Sequence, residues 1–234
     1  MTEDKKTIKS ISYNQKEIMY NIMQLHNSGK PFEADMTYSI GAFYKQNAND
    51  EYNIPQPSYK FDVCPQVEGV QKIEPLGHLP LEDNSIESLV IDLPFVISPR
   101  SCNSVLNPQK GSCIISKRFS SYYPVQEMFE SYSHWINEAY RVLKENGICV
   151  FKTQATVSGG KTYMTPEYSW LCAEQCGFYT EDQFFLMAKS RIISGKVKNQ
   201  MHARKYSSTF YVFKKVPKNK SVDYFKWQKI NDNK

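Results

Sequence analysis

Apolar positions recur along this chain with two different periods, and the switches between them predict an alternation of helices and strands. Between Asn14 and Asn27, residues Ile18, Met19, Ile22, Met23 and Leu25 fall at roughly helical spacing, and Asn27-Ser28-Gly29 supplies a stop. A helix packed on a sheet edge is expected there. Phe32 to Thr37 reads as a first strand and Tyr59 to Val63 as a second, with Pro55 and Pro57 breaking the stretch between them. A short third strand is expected near Val70 to Ile73. Ser88-Leu89-Val90-Ile91 is an apolar run rich in β-branched residues that ends close to a proline, the pattern of a buried central strand. From Val125 to Asn146 the positions Met128, Phe129, Tyr132, Trp135, Ile136, Ala139, Tyr140 and Leu143 follow a helical repeat that Gly147 ends. Ile148 to Phe151 follows as a buried strand, and Ser158-Gly159-Gly160 as a turn. A helix is then expected from Thr165 to Cys176, with Thr165 as N-cap, Pro166 at its first position and Gly177 closing it. Gln183 to Ala188 and Thr209 to Phe213 are the last two strands. The fold class is α/β.

Composition narrows this picture. A chain of 234 residues with 41% hydrophobic residues can bury one sizeable α/β core. We expect a single domain over 1–215, with an inserted loop at 96–124 and a basic hairpin connection at 189–207, followed by a charged tail at 216–234. The formal charge of +5 permits a nucleic-acid partner without requiring one. The six cysteines include no C-x-x-C pair and read as reduced thiols. Cys172 and Cys176 share a helix face, but no second Cys/His pair accompanies them, so no metal site is expected. With no apolar signal core and no apolar run of membrane-spanning length, a cytoplasmic location and no membrane partner are expected.

Candidate chemistry gathers where the central strand ends, at Asp92-Leu93-Pro94-Phe95. In open α/β sheets, ligands bind at the carboxyl ends of the strands. An exocyclic amine of adenine or cytosine is a poor nucleophile, because its lone pair is delocalised into the ring. Two acceptors aimed at its N–H bonds would draw the pair back onto nitrogen. Asp92 offers a carboxylate oxygen and Leu93 a backbone carbonyl, which the following Pro94 restrains. Phe95 offers a face for stacking a base taken out of a helix. The competing reading is a Pro-stiffened turn with a core phenylalanine. Two further segments carry basic residues suited to phosphates. In the 96–124 loop, Arg100, Lys110, Lys117 and Arg118 lie near Phe119, Tyr122 and Tyr123; between the last two strands, Lys189, Arg191, Lys196, Lys198, His202, Arg204 and Lys205 stand without an acidic residue. Solvated loops are the alternative reading of both.

The order of these elements resembles that of the class I S-adenosylmethionine-dependent methyltransferases over about Phe32 to Lys215. Leu79 to Ser85 is similar to the family's segment before its fourth strand, and Glu138 to Gly147 to its helix-to-fifth-strand junction. Asp92-Leu93-Pro94-Phe95 resembles the D/N-P-P-Y/F/W motif of amino methyltransferases acting on adenine N6 or cytosine N4, and the N-L-P-Y form of RNA adenine dimethyltransferases. The resemblance implies a Rossmann-like three-layer sandwich whose mostly parallel sheet ends in an antiparallel strand pair. It implies S-adenosylmethionine as cofactor, DNA as the partner with RNA as the alternative, and a target amine held by Asp92 and Leu93. Asp35, Thr37 and Gly41 match the family's first-strand cofactor turn, Asp62 its ribose-binding acid, and Glu74 or His78 would lie near the cofactor adenine. The turn holds one glycine where the family's usually has more, and a catalytically silent, nucleic-acid-binding relative is the alternative reading.

Overall fold

The computed structural model describes residues 7–48, 50–98, 121–190, 199–217 and 222. Its strands are β1 (Ile11–Ser12), β2 (Ala34–Asp35), β3 (Tyr59–Asp62), β4 (Gln71–Lys72), β5 (Ile86–Asp92), β6 (Leu143–Thr153), β7 (Thr156–Ser158), β8 (Lys161–Tyr163), β9 (Phe178–Met187) and β10 (Ser207–Lys215). The helices are α1 (Gln15–His26), α2 (Val125–Val142) and α3 (Thr165–Cys176). Eight strands form one sheet in the order β1-β9-β10-β6-β5-β2-β3-β4. The pairs from β4 across to β6 are parallel, whereas β10 runs antiparallel to both β6 and β9. This is the expected mostly parallel sheet with an antiparallel pair, a Rossmann-like methyltransferase fold.

Alternation along the central strands assigns the two faces. Val90, Ile148, Val150, Phe210 and Val212 point to one side, against Ile18, Met19, Ile22 and Met23 of α1 and against Tyr38, Phe43, Tyr44 and Ile54. Leu89, Ile91, Cys149, Phe151, Tyr211 and Phe213 point to the other, against Met128, Tyr132, Trp135, Ile136 and Ala139 of α2 and Ala173 of α3. Three layers result. The described residues between β2 and β3 form turns rather than a helix, and aromatic side chains from them cover the sheet there.

Several boundaries differ from those the pattern predicts. Helix α2 stops at Val142, because Leu143 is extended and pairs with Ile86 of β5. Gly147 therefore lies inside β6. A Cβ on it would stand 3.0 Å from the Glu87 carbonyl, so close approach of β5 rather than a helix stop requires the glycine. Thr165 is the first helical residue and Met164 the N-cap; the Thr165 hydroxyl donates to the Gln154 carbonyl at 2.5 Å. The first strand shrinks to two residues. Strand β1 is too short to show a period.

Candidate active site

Parallel pairing brings four polar side chains to one edge of the sheet. Asp35 ends β2, Asp62 ends β3, Asp92 ends β5, and Lys152 lies directly opposite Asp92 on β6. Each follows an apolar strand interior, so the chain's polar groups emerge where the strands leave the core.

Asp35 is buried and fully engaged. Its Oδ1 accepts from the Thr37 amide at 2.8 Å and from the Thr37 hydroxyl at 3.2 Å, and its Oδ2 accepts from the Tyr44 hydroxyl at 2.8 Å. Burial raises its pKa to about 7, against the lowering effect of these hydrogen bonds. Burial, and then the nearby Asp35 charge, holds Tyr44 well above the usual phenol range, so Tyr44 acts as a neutral donor. The Thr37 hydroxyl also accepts from the Asp92 amide at 2.7 Å. Thr37 thus ties the end of β2 to the end of β5.

Asp62 is half-buried. Its Oδ2 accepts from the Ser39 amide at 2.8 Å and its Oδ1 from the Cys64 amide at 2.7 Å. Each oxygen keeps a further lone pair for an outside donor. The turn between them runs through Gly41, whose φ is +67°, and a Cβ there would overlap the Tyr38 ring. Tyr38 stacks on Tyr44 with ring centroids 5.6 Å apart.

Asp92 is half-buried, with Oδ2 bonded to Lys152 Nζ at 2.8 Å. Among the described residues, its Oδ1 has no hydrogen-bond partner. Phe95 is half-buried and Leu93 buried. The Pro94 carbonyl accepts from the Tyr132 hydroxyl of α2 at 3.0 Å, which pins the tetrapeptide to the helix layer. Burial holds Tyr132 well above the usual phenol range, so it stays protonated.

Asp35, Thr37, Gly41, Asp62, Asp92, Leu93, Pro94 and Phe95 therefore stand on the turns that leave one sheet edge, while the other predicted residues stand apart from it or lie outside the described residues. His78 is exposed and bonded to Glu138 at 3.0 Å, in the last turns of α2. One turn on, Arg141 bonds Glu138, and its carbonyl accepts from Asn84, two residues before β5 begins. That places His78 toward the opposite end of β5 from Asp92, and the cofactor role read for it is corrected. Glu74 follows β4 and is exposed. Tyr122, read as a nucleic-acid contact, is buried with its hydroxyl bonded to Ser131 at 3.0 Å. It is a core residue, because the 121–124 stretch packs on α2. His202 bonds the Gly160 carbonyl at 2.9 Å and so joins its segment to the β7–β8 turn. Arg204 is exposed and Lys205 partly so. Arg100, Lys117, Arg118, Arg191, Lys196 and Lys198 lie outside the described residues.

Sequence reasoning missed Lys152, Tyr44 and Tyr132. A lysine directly after the apolar run Ile148 to Phe151, on a strand expected beside the central one, was the available signal for the first. The two tyrosines looked like core residues, and nothing in periodicity shows where a hydroxyl points.

No family model matches the chain, and no curated protein matches it. Among solved structures, the PvuII cytosine-N4-specific DNA methyltransferase is 14% identical over 58% of this chain and 45% of its own, with a TM-score of 0.41. The N-methyltransferase NodS from Bradyrhizobium japonicum WM9 is 10% identical, covering 87% and 97% of the two chains, with a TM-score of 0.43. A SAM-dependent methyltransferase from Archaeoglobus fulgidus is 14% identical, covering 86% and 94%, also at 0.43. This chain spans less than half of the PvuII enzyme's length and 53% of that of a DNA modification methylase from Thermus thermophilus. Likenesses at this level set no activity for the chain, and its fold class rests on its own strand order.

Proposed function

We propose that this protein methylates an exocyclic amino group of a nucleobase, adenine N6 or cytosine N4, in DNA, using S-adenosylmethionine. The observation that carries the reading is the position of Asp92-Leu93-Pro94-Phe95 at the end of β5, fastened by Thr37 to the end of β2 and by Tyr132 to α2.

The residues present fit the cofactor at Asp62, whose spare lone pairs suit ribose hydroxyls, and at the turn leading to Gly41. Asp35 lies beneath that turn and supports Thr37. When bound, S-adenosylmethionine supplies a sulfonium methyl group at the sheet edge. Asp92 Oδ1 and the Leu93 carbonyl accept the two N–H bonds of the target amine, turning its lone pair toward that methyl. As the nitrogen–carbon bond forms, positive charge grows on nitrogen, and both acceptor contacts strengthen. The nitrogen then loses one proton to solvent. Phe95 stacks the base, and the basic residues near 96–124 and 189–205 follow the strand's phosphates.

A second reading, a catalytically silent nucleic-acid-binding subunit, is favoured by the closed Asp35–Tyr44 contact and by the ion pair on Asp92. Titration calorimetry of S-adenosylmethionine with the wild type and Asp62→Ala separates the two. The proposal expects binding in the wild type and at least a tenfold weaker affinity in the variant. Undetectable wild-type binding would favour the silent subunit.

A further inference from the structure

The ammonium of Lys152 is built into the candidate site. Asp92 and Lys152 are registered partners on adjacent parallel strands, and Nζ lies 2.8 Å from Oδ2. The lysine side chain is 13% exposed, and Nζ stands 5.4 Å from the centre of the Phe43 ring and 5.6 Å from that of Phe210. Two aromatic faces and a carboxylate thus fix a cation at this place. The carboxylate keeps an acceptor oxygen while its charge is already balanced.

That pairing distinguishes two kinds of amine. A neutral aromatic amine needs only an acceptor, and Asp92 Oδ1 still provides one. A protonated alkylamine needs an unbalanced negative charge, and would meet the Lys152 ammonium a few ångströms away in a half-buried setting where like charges repel strongly. We infer that Lys152 is a specificity residue that restricts the Asp92 site to neutral planar amines, such as nucleobase or amide nitrogens, and rejects protonated alkylamines such as lysine side chains and polyamines. The inference rests on the placement of the acceptor amine against Asp92 proposed above.

Removing the cation should open the site to alkylammonium ions, which a merely structural role for Lys152 would not do. Binding of n-propylammonium to the full chain is measured by calorimetry at pH 8, in the wild type, in Lys152→Met, and in Lys152→Met combined with Asp92→Ala. Lys152→Gln serves if the methionine variant does not fold. The expected result is at least a tenfold gain in affinity in Lys152→Met or Lys152→Gln, abolished when Asp92 is also removed. Equal affinity in the wild type and the Lys152 variants, or a gain that survives loss of Asp92, would overturn the inference. Should the wild type bind no S-adenosylmethionine while the gain is still seen, the proposed function would fail and the specificity role of Lys152 would stand.

Discussion

Asp35 holds its proton far more tightly in the folded chain than in the unfolded one, since burial lifts its pKa from 3.8 to about 7. Below about pH 4 both states are protonated, and its contribution to stability is complete. Between about pH 4 and 7 the unfolded state gives up its proton while the folded state keeps it, so stability falls as pH rises and this contribution is lost above the folded pKa. Asp35→Asn, which cannot ionise, should flatten that fall. Urea midpoints of the two proteins at pH 4.5, 6 and 7.5 check this, and parallel slopes would contradict it. Tyr132 is argued on the same scale. Tyr132→Phe leaves the Pro94 carbonyl without its donor and should cost about 1–3 kcal/mol of stability by chemical denaturation. It should also lower turnover more than substrate affinity, because the Asp92 loop loses its tether. At this scale the sequence was informative about carboxylates and silent about their partners. Asp35, Asp62 and Asp92 were visible because each closes an apolar run. Lys152 and Tyr44 owe their roles to neighbours on other elements, and local pattern does not contain that information.

The turn from β2 toward β3 is the element on which cofactor binding depends. Gly41 sits at a positive φ with Tyr38 packed over it, so Gly41→Ala should destabilise the protein by about 1 kcal/mol or more. It should also weaken S-adenosylmethionine binding, measured by calorimetry, since the displaced Tyr38 reshapes the turn. Elements with long periodic patterns were legible: α1 and α3 lie within a residue or so of their expected bounds, and β5 holds the predicted central run. Errors fell where tertiary contact overrode local preference. Leu143 continues the helical repeat of apolar positions, yet its pairing with Ile86 draws it and the residues up to Gly147 into β6. Thr165 has an N-cap's chemistry, but its hydroxyl finds the Gln154 carbonyl instead.

At the scale of the molecule, the order of elements conveyed the fold class, because right-handed crossovers leave few ways to lay such a chain into one sheet. That order also carries the three strand-closing aspartates to a common edge, which no single segment reveals. Among the described residues no helix is long and apolar enough to cross a membrane. A formal charge of +5 suits a polyanionic substrate, and binding to a DNA duplex should weaken steeply with added salt, log affinity falling in proportion to log salt. Shallow salt dependence would point instead to a small-molecule or protein substrate. The central claim is that Asp92 presents a nucleobase amine for methyl transfer. It is tested most directly by incubating labelled S-adenosylmethionine with unmethylated DNA and, in parallel, RNA, using wild type and Asp92→Ala, followed by nucleoside analysis. The account predicts label in methylated adenine or cytosine with the wild type and none with the variant, whose fold and cofactor binding persist. Undiminished transfer by Asp92→Ala, or no label in any nucleoside from a wild type that binds the cofactor, would contradict it.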